Sequence, residues 1–140
     1  MLFYLQRPAM NEKFNEATRN RPEGDRIIDA SSVFLDLKAF IRQIKNEDAW
    51  HKSDRNSITI FKTNDLCMVV GALHERAELT PHRAAGTMCI QVIEGELEIN
   101  TDDITTTLTS GQMIAVHKNA NYRALAAQET IYMLTISNVG

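Results

Sequence analysis

A basic surplus is missing from this sequence: across 140 residues, 15 Lys and Arg stand against 18 Asp and Glu, a formal net charge of −3. Without a positive field there is little to hold a phosphate backbone. No Lys or Arg run is interleaved with aromatics either, so nucleic acid is excluded as an expected partner. Long apolar runs are missing too. The longest near the N-terminus covers residues 2–5, too short for a signal-peptide core and far too short to span a bilayer. A membrane role is therefore not expected, and a cytoplasmic location is. Cysteine is scarce. Cys67 and Cys89 lack any C-x-x-C or zinc-type spacing and stand inside apolar stretches, so they read as buried reduced thiols.

The usual catalytic signatures are also absent: there is no G-x-G-x-x-G, no P-loop and no G-x-S-x-G. His74-Glu75 opens an H-E-x-x-H pattern, but Glu78 stands where the second zinc-binding histidine belongs. The acidic group Glu94, Glu96, Glu98, Asp102 and Asp103 falls on alternate strand positions and a turn. It reads as a solvated face, because Ca²⁺ requires a tighter loop of oxygen ligands.

What is present is unevenly distributed. Residues 1–56 hold 10 basic and 9 acidic side chains, and residues 57–140 hold 5 and 9, together with five of the six glycines. The charge-poor half reads as the folded core and the first half as its appendage. Residues 1–9 read as an unrelated prefix, with Met10 a candidate second start. Residues 11–29 are polar and aperiodic, so residues 1–30 are expected to form an arm or loop. A short strand is predicted over 31–35. Asp36 is then a plausible N-cap for a helix over about residues 37–47, where Leu37, Phe40, Ile41 and Ile44 recur at i, i+3, i+4 and i+7. Lys38, Arg42 and Lys45 face water, and Trp50 is expected to pin the helix down by packing.

From residue 57 the period becomes two. Residues 57–63, 66–73, 87–95, 96–100, 104–108, 112–116, 122–126 and 130–137 are each strand-like, rich in Ile, Val, Thr and Tyr and separated by Gly, Asn and Asp turns. Short strands at regular spacing with no helix between them imply an all-β sandwich or barrel over 51–140, covered by the strand and helix of 31–50. Two strands are apolar on both faces. Met88, Ile90 and Val92 oppose Cys89, Gln91 and Ile93, and Ile131 and Met133 oppose Tyr132, Leu134 and Ile136. A sheet apolar on both sides needs cover on both, from the helix or from a second subunit, so a homodimer is expected.

The most informative stretches are PHRAAGTMCIQVIEGELEIN (81–100) and SGQMIAVHKNANYRALA (110–126). Their spacing resembles that of the cupin superfamily, whose first motif runs H-x-H, three or four residues, E, six residues, G. The second runs G, five residues, P-x-G, two residues, H, three residues, N. Anchored on Gly95, the first set of ligand positions falls on His82, Ala84 and Met88. Anchored on Gly111, the proline, glycine, histidine and asparagine positions fall on His117, Asn119, Tyr122 and Ala126. The resemblance covers residues 57–137 and implies a small jelly-roll barrel, a double-stranded β-helix. The arm and helix resemble extensions on some short bacterial single-domain cupins of undefined function.

Residue chemistry departs from the motif. Family members hold a divalent metal with three imidazoles and a carboxylate, whereas this chain offers His82, Ala84, Met88 and Tyr122. One imidazole, a phenol, a thioether and a methyl group do not hold Fe, Mn, Ni or Zn, and neither His74 nor His117 occupies a ligand position. No metal or other cofactor is expected. The expectation is a small-molecule-binding or sensory barrel rather than an enzyme, with a pocket built from His82, Tyr122, Met88, Ile90 and Val92. The alternative is catalysis, either through atypical metal ligands or by metal-free proton transfer or isomerisation with His82 as base and Tyr122 as acid.

Overall fold

The computed structural model describes residues 13–18, 21, 24–83 and 86–137, with the side chains of 80–83 left out. The prefix 1–9, Met10 and Ala84 lie outside the described residues. Eleven strands and two helices follow in order: β1 (Lys13–Asn15), β2 (Arg26–Asp29), α1 (Leu37–Asn46), α2 (Asp48–Lys52), β3 (Arg55–Lys62), β4 (Leu66–Leu73), β5 (Glu78–Arg83), β6 (Met88–Glu94), β7 (Glu96–Thr101), β8 (Thr105–Thr109), β9 (Met113–Val116), β10 (Asn121–Ala126) and β11 (Thr130–Ser137). Among the described residues no helix is long and apolar enough to cross a membrane.

Strands β3 to β11 form two antiparallel sheets. One has the order β3-β4-β11-β6-β9 and the other β5-β10-β7-β8. Register assigns the faces. Tyr132, Leu134 and Ile136 of β11 pair with Val92, Ile90 and Met88 of β6, and also with Gly71, Val69 and Cys67 of β4. This inner row meets Leu97, Ile99, Leu108, Tyr122, Ala124 and Ala126 of the smaller sheet in one buried core. The outer row (Ile58, Ile60, Val70, Ala72, Ile131) forms a second core beneath α1, with Leu37, Phe40, Ile41, Ile44 and Trp50 packed on it.

The helix forms where its sequence predicts. Asp36 accepts a hydrogen bond from the Ala39 N–H at 3.2 Å, satisfying one of the orphan donors of the first turn. Fully buried Ile44 alone contributes about 1.5–3 kcal/mol of apolar burial.

Two expectations are corrected. Residues 31–35 form no strand; the strand lies earlier, at β2, paired with β1 inside the segment read as a loop. The β-branched pair Ile27-Ile28 favours extension, whereas Ser31 lies in a bend and Phe34 is 89% exposed at the approach to the helix. The second correction is β5, absent from the expected strands. Its sequence, ELTPHR, has a single large apolar residue and a proline, so no alternation is visible. As the edge strand of its sheet it tolerates a residue with no N–H to donate.

Two glycines are required by their surroundings. Gly95 adopts φ +98° between β6 and β7, where a Cβ would overlap Glu129 O and Thr130. Buried Thr130 braces that turn by accepting from Glu96 N at 3.1 Å, with Glu96 O (3.0 Å) and Gln128 O (2.8 Å) in reach of its hydroxyl. Gly71 instead makes room, because a Cβ there would overlap the Tyr132 ring lying across β4. Gly71→Ala is therefore expected to cost about 1–3 kcal/mol as an overpacked core, read as a lower urea midpoint with an unchanged slope. Adding Tyr132→Phe should recover only part of the loss, since the hydroxyl and the ring carbons both lie where the Cβ would stand. An unchanged midpoint in Gly71→Ala would contradict this packing.

Candidate functional site

One end of the barrel is more loosely packed than the other. Deep between the sheets, Leu73, Ile90, Val92, Leu97 and Ile99 are fully buried. Toward the end marked by Met88, Val116 and Tyr122, the inward residues Cys67, Val69, Leu134, Ile136 and Ile114 are only half-buried, although all are apolar or nearly so. Inward apolar side chains that remain partly exposed make this end, the mouth, the less covered one.

Strand β10 carries Tyr122 at that mouth, and its register sets Tyr122 opposite Thr101 of β7 and opposite His82 of β5. Sequence spacing had brought these two residues together, and the backbone pairs them directly. The side chain of His82 lies outside the described residues, as does that of Arg83. Met88, Ile90 and Val92 form the inner row of β6, with Ile136, Leu134 and Tyr132 on one side. Val116 and Ile114 flank Met88 and Ile90 on the other. Tyr122 is 8% exposed, and burial raises its phenol above the ordinary range.

Tyr132 belongs to the same interior and was not singled out by motif spacing. It is 6% exposed, and its phenol is pushed up to about 12, first by burial. Arg55 pulls it down in part, and Tyr122 pushes it further up. A signal existed in the sequence: alternation in β11 puts Tyr132 on the face of Leu134 and Ile136, and Gly71 leaves it space.

Neither His74 nor His117 belongs to this inner row. His74, just past β4 at the opposite end of the sheet, stacks on Trp50 with ring centroids 3.5 Å apart and planes at 12°. Its Nε2 lies 2.9 Å from Trp50 O, and its backbone N–H donates to Asp54 O. His117 is exposed in the turn after β9. Among the described residues no three His, Cys, Asp or Glu side chains converge as a metal site requires. The motif positions do not fit a divalent metal. Met88 offers a thioether in an apolar core, and the Tyr122 phenol is held neutral by burial.

No family model and no curated protein matches the sequence. Solved structures do match the fold. An RmlC-like cupin from Shewanella frigidimarina is 22% identical, with a TM-score of 0.58 over 61% of this chain and 78% of that one. A cupin superfamily protein from Desulfitobacterium hafniense has a TM-score of 0.63 at 12% identity, over 89% and 97%. The fold is a cupin jelly roll. A conserved double-stranded β-helix protein from Klebsiella pneumoniae adds a TM-score of 0.61 at 19% identity, over 77% and 91%. These likenesses establish the cupin architecture.

The raised phenols carry a pH dependence. A tyrosine whose folded pKa exceeds its unfolded value adds stability below the unfolded pKa and loses it as pH rises toward the folded one. For Tyr132 that window runs from the ordinary value of 10.0 to about 12. Unfolding free energy is thus expected to fall across it, and Tyr132→Phe should flatten the decline, as read by denaturant titration at stepped pH. Phenolate absorbance should show a late-titrating tyrosine that the same substitution removes.

Proposed function

We propose that this cupin barrel binds a small, neutral, largely apolar molecule carrying a hydrogen-bond acceptor, and that it acts as a binder or sensor rather than as an enzyme. The graded burial at the mouth carries this reading: Cys67, Val69, Leu134, Ile136 and Ile114 turn apolar surface toward an opening. Among the described residues the buried core beneath it contains no charged side chain, which disfavours a charged guest. Tyr122, neutral at physiological pH, sets a phenol O–H at the mouth, and methionine gives the wall an adaptable surface. Thermal-shift screening with neutral ketones, esters and phenols is expected to yield stabilising ligands, and Leu134→Trp should abolish the shift by filling the mouth. Stabilisation only by anionic or phosphorylated compounds would count against the proposal.

A second reading, metal-free proton transfer, is favoured by the register that sets His82 opposite Tyr122. The ligands from the screen separate the two readings. A binder returns them unchanged from D₂O, whereas proton transfer leaves deuterium at the exchanged carbon.

We place the protein in the cytoplasm. Support comes from Cys67 and Cys89, both free and set by register on opposite faces of the sheet. For the outer sheet face that α1 leaves partly bare we propose a second copy as partner. Met133, Thr135, Cys89, Gln91 and Ala115 carry no charge there and are half-buried or exposed. Such a face suits self-association around a two-fold axis. Light scattering is expected to give twice the chain mass, reverting to the monomer value in Gln91→Arg; a monomeric native protein would overturn the assignment.

A further inference from the structure

The two sheets do not meet along their β8 and β9 edges, and two cavities run along this seam. One, of about 380 Å³, is lined by the turn 101–104 and by Ile114, Ala115, Val116, His117 and Ala120. The other, of about 450 Å³, is lined by Thr106, Thr107 and Leu108 of β8 and by Gln112, Met113 and Ile114. They share Ile104 and Ile114, so they adjoin. The lining is consecutive: Met113, Ile114, Ala115 and Val116 all contribute. Alternate residues of a strand point to opposite faces, so a cavity touching every residue in turn runs along the backbone edge. Both strands are terminal in their sheets, so these edges have no strand partner among the described residues. Only the Gln112 end is closed, by its side-chain Oε1 accepting from Thr109 N at 2.8 Å.

The geometry points to this seam as an acceptor groove for an extended peptide segment, added as a further strand along the β9 edge. Unpaired backbone groups supply main-chain hydrogen bonds, and apolar side chains at the rim supply pockets for alternate residues. Ile104 is 48% exposed and Met113 55% exposed, large apolar side chains standing beside an open edge. Charge sets the direction. The carboxylates among the lining residues, Asp102 and Asp103, lie at the Val116 end, and no Lys or Arg joins them. A segment antiparallel to β9 begins at that end, so its first residue is cationic and the following ones are alternately apolar. The groove is walled by β8, so a free extended segment reaches the β9 edge where the rim of another folded sheet would meet Thr106 and Thr107 first. Four to five residues, at about 3.4 Å each, match the length of the edge.

The test is a titration of the ¹⁵N-labelled full chain with acetyl-Arg-Val-Thr-Val-Thr-Val-amide, followed by amide shifts. Shifts are expected along residues 113–116 and 105–108, with binding in the range of about 1 mM or tighter. Replacing the peptide's Arg by Glu should weaken binding about fivefold at low salt, with the difference shrinking as salt is added. Ile104→Lys, at an exposed position, should weaken the Arg peptide by a similar factor while its spectrum shows an intact fold. The proposal is overturned by shifts confined to another surface, or by none up to about 10 mM. Equal affinity for both peptides together with no effect of Ile104→Lys would also overturn it. Concentration-dependent shifts without peptide that reach residues 105–108, which lie off the proposed dimer face, would assign the seam to a second copy instead.

Discussion

The sheet β3-β4-β11-β6-β9 is apolar on both faces, and most of this molecule follows from having to cover it. Its inner face is covered by the smaller sheet, with Leu97, Ile99 and Leu108 meeting Val92, Ile90 and Leu73 in one apolar core. Its outer face is covered at the β3–β4 side by a helix whose stripe repeats every three to four residues. Hydrophobic burial is proportional to area and indifferent to direction, so it explains why cover is needed but not why this helix lies where it does.

Position comes from polar groups at the helix end. Asn56, buried on β3, donates to Ile44 O at 2.8 Å and to Glu47 Oε1 at 2.9 Å. Arg21 of the arm grips Glu47 with both nitrogens of one fork, at 2.8 and 2.9 Å, and reaches Ser57 O at 2.7 Å. Burial alone would push the Glu47 carboxyl up, but the hydrogen bonds from Arg21, Asn56 and Gln43 outweigh it and hold the group below its ordinary value. Helix, arm and sheet thus share one carboxylate. Arg26 adds a bond to Thr59 O at 2.9 Å, so two guanidiniums occupy carbonyls of an edge strand that would otherwise invite pairing. Across the helix, Lys45 meets Glu129 in the turn before β11 at 2.6 Å.

How much of this could be read from sequence depends on the length over which a pattern repeats. The eight residues of β4 and of β11 alternate long enough for their bounds to be evident, and the Asp36 cap with its four-residue stripe located α1. β1 and β2, of three and four residues, are too short to show a period at all. β5 was hidden because Pro81 and polar neighbours erase the alternation. The site divides the same way. Motif spacing set His82 near Tyr122, and the backbone register pairs the two. That spacing passed over Tyr132, because what places that phenol is the absence of a side chain at Gly71 on another strand. The Arg21–Glu47–Asn56 network spans 36 residues of sequence and has no local signature.

The two openings of the barrel have a common origin in strand number. Five strands face four, so the larger sheet cannot be covered to its edges. At the β3 side the sequence accommodates this: Ser57 and Thr59, which register puts on the inner face opposite Gly71 and Val69, are polar and tolerate water. At the mouth and along β9 it does not, and Leu134, Ile136, Ile114 and Met113 stay apolar although partly exposed. A strand position facing solvent costs little to make polar, as β3 itself shows. The apolar residues at the mouth and the seam are therefore the surfaces on which both proposals of a bound partner rest.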